Sequence, residues 1–154
     1  MAALKTLVAR LRHSESGAEF VEFALAFPLL LLVVMGILDF GLMFQQYEVI
    51  TNAAREGARL GSVTGYTLSD AQTRAQQYIA LVAGPASAVV QAPVYEDIAL
   101  PGGGTACGVR VTVNYAHDYL FVSGIMGYFG GALGTKTLSA SAVMRIEGSI
   151  SACP

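Results

Sequence analysis

The chain has 154 residues, 54% of them hydrophobic and only 13% charged, which fits one modest domain with a membrane-associated segment and excludes a disordered tail. Its formal net charge is −2, and its basic residues neither cluster nor interleave with aromatics, which argues against nucleic acid as a partner. Residues 1–13 set Leu4, Leu7, Val8 and Leu11 at helical spacing among Lys5, Arg10 and Arg12, a short basic amphipathic segment suited to an anionic inner leaflet.

From Phe20 to Phe44 the chain is almost wholly apolar, yet it carries Glu22 near its start and Asp39 near its end. A carboxylate forced to the centre of a membrane helix costs roughly 2.5–3.5 kcal/mol, so Glu22 asks for a partner. The 16 uncharged residues between the acids, Phe23–Leu38, cover roughly 24 Å of helix, less than the roughly 30 Å of bilayer hydrocarbon. Both carboxylates can therefore reach opposite faces of the bilayer. Pro28 is tolerated in such a helix because neighbouring groups satisfy the freed carbonyl. The apolar run is too long, and lacks the small-x-small site, for a signal peptidase I substrate. Three basic residues precede the run and two, Arg55 and Arg59, follow it closely, a slight preference for a cytoplasmic N-terminus.

Helical periodicity continues past the apolar run through Ile50, Ala53, Ala54, Gly57, Ala58 and Gly61, a stripe of small residues on one face. Two partners are open for it: a helix of another subunit, by small-xxx-small packing, or the chain's own head. Gly61–Gly65 ends this helix. Ser69 and Gln72 have capping-box spacing, and Ala71, Ala75, Tyr78, Ile79 and Val82 give a second helix an apolar face that ends at Gly84-Pro85. Strands are expected at Ala88–Tyr95, Gly108–Tyr115 and Lys136–Ile146. In the second, Val109, Val111, Val113 and Tyr115 alternate with Arg110, Thr112 and Asn114; the third alternates less cleanly through Leu138, Ala140, Ala142, Met144 and Ile146. The uncharged stretch Tyr119–Gly134, with five glycines, is too short and too glycine-rich for a second span. It reads either as a loop or short helix covering the sheet or as an adhesive surface for a partner subunit or the bilayer.

Three phrases in order carry a resemblance: Glu15-Ser16-Gly17-Ala18-Glu19-Phe20-Val21-Glu22-Phe23, then Gly36-Ile37-Leu38-Asp39-Phe40-Gly41, then Thr51-Asn52-Ala53-Ala54-Arg55-Glu56-Gly57-Ala58-Arg59. The sequence resembles the TadE-like proteins, minor pseudopilins of the tight-adherence (Flp) pilus. The likeness is strongest over residues 14–61 and weaker in the strands at Cys107 and Met144. It lacks the Phe-Thr-Leu-(Ile/Leu)-Glu segment of type II secretion pseudopilins, and its head is far larger than that of major Flp pilins. The resemblance implies cleavage by a prepilin peptidase between Gly17 and Ala18, so that Glu22 becomes the fifth residue and pairs with the free amino terminus of a neighbouring subunit during assembly. Opposite charges brought together in a low-dielectric layer stabilise each other far more than either is stabilised alone. It further implies an inner-membrane, single-pass protein with a cytoplasmic leader and a periplasmic head, whose partners are the peptidase, other pilin and pseudopilin subunits and the assembly platform. Adhesion and biofilm formation are the processes it would serve. Asp39 matches an acidic position frequent in the family. Pairing with Arg55 or Arg59 of another subunit and simply marking the outer interface are both open, and the simpler reading is preferred.

The fold expected is thus α+β and pilin-like: a basic leader over residues 1–17, a transmembrane and extended helix over 18–62, and a head with an antiparallel sheet over 63–154. Without Met1–Gly17 the 9 basic and 11 acidic residues fall to 6 and 10, so the mature chain is acidic, with net charge −4. Cys107 and Cys153 both follow the apolar run, and an even pair outside the cytoplasm reads as one disulfide. Closing about 46 residues, it contributes roughly 4 kcal/mol and pins the C-terminal tail to the sheet; intermolecular bridges between subunits are the alternative.

Enzymatic chemistry finds little material. His117 and Asp118 are neighbours in sequence and do not face one nucleophile, Gly102-Gly103-Gly104 lacks the Lys-Ser/Thr and the helix of a phosphate loop, and the Cys and His spacings fail those of zinc. No catalytic residue, metal or cofactor is expected. The alternative to a pseudopilin is an uncleaved signal-anchored scaffold or ligand-binding protein of the envelope.

Overall fold

A computed structural model describes residues 15–82, 84–128, 130–131, 133–148 and 153. The basic segment read at residues 1–13 lies outside them. Among the described residues, three helices and four strands follow one another: α1 (Glu15–Gly61), α2 (Leu68–Leu81), β1 (Val89–Val90), β2 (Val94–Ala99), β3 (Thr105–His117), α3 (Phe121–Tyr128) and β4 (Lys136–Arg145). This is the α+β arrangement expected: a long N-terminal apolar helix and a small head with a four-stranded antiparallel sheet. By internal packing the chain divides into two units. One joins α1 up to Phe40 with Leu120–Leu133, and the other joins Gly41–Tyr119 with the segment from Gly134 onward.

The second unit is built around β3. Its partner β4 runs antiparallel along one edge from Gly108↔Arg145 to His117↔Lys136. The other edge is shared by β2, from Val94↔Arg110 to Ala99↔Thr105, and by the two residues of β1 opposite Asn114 and Val113. The single strand expected at Ala88–Tyr95 is therefore two strands. Pro93 has no N–H to give a ladder, so pairing lapses there and resumes at Val94. Strand β3 reaches beyond the expected Gly108–Tyr115 at both ends, whereas β4 stops one residue short of Ile146.

The alternation in β3 is resolved as read. Val109, Val111 and Val113 are fully buried, and Arg110, Thr112 and Asn114 are only half-buried. Ile50, Ala53, Ala54 and Ala58 of α1 and Ala71, Ala75 and Ile79 of α2 complete this core. The capping box of α2 sits two residues earlier than expected. The Thr67 side chain accepts from the Asp70 N–H at 3.3 Å, and the Asp70 carboxylate accepts from the Thr67 N–H at 2.8 Å, in place of Ser69 and Gln72. Val82, expected on the apolar face of α2, is its C-cap and is exposed. Cys107 and Cys153 form a disulfide, with Cα atoms 4.6 Å apart, and the Cys153 N–H donates to Asp97 at 2.7 Å. Cys153 is thereby held beside the β2–β3 ladder, in which Asp97 stands opposite Cys107.

Candidate functional site: the apolar helix and its carboxylates

Within α1 the stretch from Gly17 onward is long and apolar enough to cross a membrane, and its most apolar window is wholly unburied. Phe20, Leu25, Leu29, Ile37, Phe40 and Phe44 all present their side chains outward. This fits a single-pass membrane anchor, because an exposed apolar surface of that size is not stable in water. Pro28 lies inside the helix without ending it.

Gly17 and Ala18 are in the first turns of the helix, Gly17 half-buried and Ala18 exposed. Glu22 is exposed a turn later, and among the described residues it takes part in no ion pair. Asp39 is in the opposite situation. Only 1% of it is exposed, and its carboxylate accepts from three successive backbone N–H groups at the start of α3: Leu120 at 3.0 Å, Phe121 at 3.1 Å and Val122 at 2.7 Å. These are three of the four donors that a helix start leaves without an intrahelical acceptor, and the negative charge lies at the positive end of the helix dipole. Asp39 is thus a helix cap supplied from about eighty residues away. This is a role that the sequence reading did not give it.

The small-residue stripe is also occupied. A side chain at Gly57 would meet the Ala71 carbonyl oxygen at 2.8 Å and the Ala75 Cβ at 3.0 Å; one at Gly61 would meet the Ala71 Cβ at 2.9 Å and Val109 at 3.1 Å. With Ala53, Ala54 and Ala58 these glycines are buried against α2 and β3 of the same chain. Of the two partners open in the sequence, the structure has the chain's own head. Glu56, on the neighbouring face, accepts hydrogen bonds from Arg59 at 3.2 Å and from Arg74 of α2 at 3.1 Å. Those two guanidinium groups, Arg59 first, hold its carboxyl below the ordinary range. Arg110 likewise pairs with Glu96 across β2 and β3 and lowers that carboxyl.

His117 and Asp118 part company. The His117 ring is buried, with Nδ1 2.7 Å from the Gln46 Oε1 and edge contacts to Tyr115 and Tyr119, while Asp118 accepts from the Thr135 hydroxyl. Among the described residues no cluster of three or more His, Cys, Asp or Glu could hold a metal ion.

A small α+β head following one exposed apolar helix, with an acid close to each end of the apolar run, fits a protein held by a single membrane anchor. The model of the family described as TadE-like protein matches residues 17–59, so the chain is similar to that family over the apolar helix and its continuation. That family implies involvement in the tight-adherence pilus. Comparison with curated proteins gives no match, and comparison with solved structures gives none.

Proposed function

We propose that the chain is a minor pseudopilin of the tight-adherence pilus. A prepilin peptidase removes the leader between Gly17 and Ala18. The mature helix, with its head on the periplasmic side of the inner membrane, then joins other pilin and pseudopilin subunits at the assembly platform, in support of adhesion and biofilm formation. The observation that carries this reading is Glu22: an exposed carboxylate in an apolar helix, within the TadE-like segment, without an ion-pair partner among the described residues. A new amino terminus at Ala18 of a neighbouring subunit supplies the missing positive charge, so the acid is costly in the monomer and compensated in the assembly. The small-residue stripe takes no part in subunit contact, and the outward apolar surface from Phe20 to Phe44 is where subunits meet.

Intact mass and N-terminal sequence of the protein from its native membrane, with and without the prepilin peptidase of its own system, test the reading. A peptidase-dependent chain beginning at Ala18 is expected. A chain that keeps Lys5, Arg10 and Arg12 in the presence of the peptidase would contradict it and favour an uncleaved signal-anchored scaffold.

A further inference from the structure

The segment that follows β3 is built like a helix that has no access to water. It is uncharged from Tyr119 to Gly134, and Leu120–Leu133 within it falls in one unit with the apolar part of α1. The N-terminus of α3 is capped by the buried Asp39. Its C-terminus closes on itself. The Gly131 N–H donates to the Met126 carbonyl at 2.8 Å and the Gly130 N–H to the Gly127 carbonyl at 3.2 Å, with Gly130 at a φ of 75°. That is the paired-bond glycine motif that satisfies terminal carbonyls from within. Such caps also close helices in water, as the Thr67–Asp70 box does for α2, but there solvent can stand in for them. In hydrocarbon every such group must be satisfied by the chain.

The direction of α3 is fixed by two contacts. Its first residues meet Asp39, and Ile125, one turn on, lines an open apolar cavity of about 330 Å³ with Leu25, Pro28, Leu29, Leu31 and Leu32. It therefore runs antiparallel to α1, from the level of Asp39 toward the middle of the apolar run. Eight residues extend roughly 12 Å, a little under half of the roughly 30 Å hydrocarbon layer. With Asp39 satisfied internally, the apolar surface of α1 no longer has to end at that residue. Phe23–Phe44, 22 residues, covers roughly 33 Å and matches the bilayer where Phe23–Leu38 fell short.

We infer that α3 is a re-entrant half-helix, dipping into the head-side leaflet of the bilayer beside α1, with lipid acyl chains as its partner and Asp39 as its cap within the membrane. The inference rests on α1 spanning the bilayer and is independent of cleavage at Gly17.

The test uses the full chain, disulfide intact, in phosphatidylcholine/phosphatidylglycerol vesicles, with an environment-sensitive fluorophore on single introduced cysteines. Gly124→Cys reports on α3, where a side chain meets nothing within 4 Å. Ser123→Cys serves as a second position there, Leu30→Cys reports on α1, and exposed Ser87→Cys reports on the head. The α3 label is expected to lose most of its emission to lipids brominated on their acyl chains, as the Leu30 label does, and to resist aqueous iodide. Adding Asp39→Leu should open the α3 label to iodide and leave the Leu30 label unchanged. Iodide quenching of both α3 labels to the level of the Ser87 label, with Leu30 still quenched by bromolipid, would overturn the inference. A Leu30 label untouched by bromolipid would remove the span on which it rests and overturn it as well.

Discussion

Gly36 and Gly41, in the apolar part of α1, have open space where a side chain would stand, whereas Gly57 and Gly61, further along the same helix, face α2 and β3 too closely for one. The two carboxylates of the apolar run differ as sharply: Glu22 is exposed, and Asp39 is buried on three backbone donors. One helix thus serves two packing regimes. In the head its small residues bring the backbone within contact of α2 and β3, and stability comes from a dry core. In the apolar part the outward surface is left for lipid or for other subunits, and a polar group persists there only with a partner from the chain or from outside it.

The largest expected effect lies in the head. Cys153→Ser releases a closure of 46 residues and should lower the unfolding free energy by about 4 kcal/mol or somewhat less, read as a reduced denaturant midpoint for the head. Unchanged stability would mean that the tail bridge is not part of what holds the core. Next come the glycines, which set the two regions directly against each other. Gly57→Val should cost about 1–3 kcal/mol by overpacking against Ala71 and Ala75. Gly36→Ala, with nothing within 4 Å, should be neutral or stabilising by up to about 1 kcal/mol through helix propensity. Equal effects at the two positions would break the comparison.

The smallest effect is electrostatic. The Glu56 carboxyl is held below its ordinary value of 4.5 by Arg59 and Arg74, so its contribution is fully present above that value and is lost as the pH falls through the lowered one. The pair is partly solvated and is worth at most about 1 kcal/mol. Glu56→Gln should therefore be slightly less stable than the parent at neutral pH and indistinguishable from it once the pH lies below both values, as read from denaturant midpoints across the acid range. A difference that persists in acid would assign the effect to packing rather than charge.

Much of this fold was legible because it repeats. The alternation of Val109, Val111 and Val113 gave the central strand, and the spacing of Ala53, Ala54, Gly57, Ala58 and Gly61 gave a packing face, though not its partner. Pro93 carried the signal for the break between β1 and β2, but the apolar residues on either side read as one run. The shift of the capping box from Ser69 to Thr67 reflects a competition between neighbouring polar residues that spacing alone does not decide, and here Asp70 at the third helical position selects Thr67. The bond from Asp39 to α3 had no local signature. Residue 120, where a capping side chain is expected, is leucine, and the carboxylate that does the work arrives from a distant helix. Arg74 on Glu56 was hidden for the same reason, since only the i,i+3 pair of Glu56 with Arg59 leaves a mark in sequence.

On the proposed reading, Asp39 is satisfied within the chain and Glu22 is reserved for a neighbouring subunit. The most direct test of that reading is the fate of Glu22→Leu expressed with the prepilin peptidase and the rest of the pilus system, with cleavage and recovery in assembled material measured on the same sample. The variant is expected to be cut between Gly17 and Ala18 as the parent is, yet to be lost from assemblies. Normal recovery of a cleaved Glu22→Leu chain would contradict it.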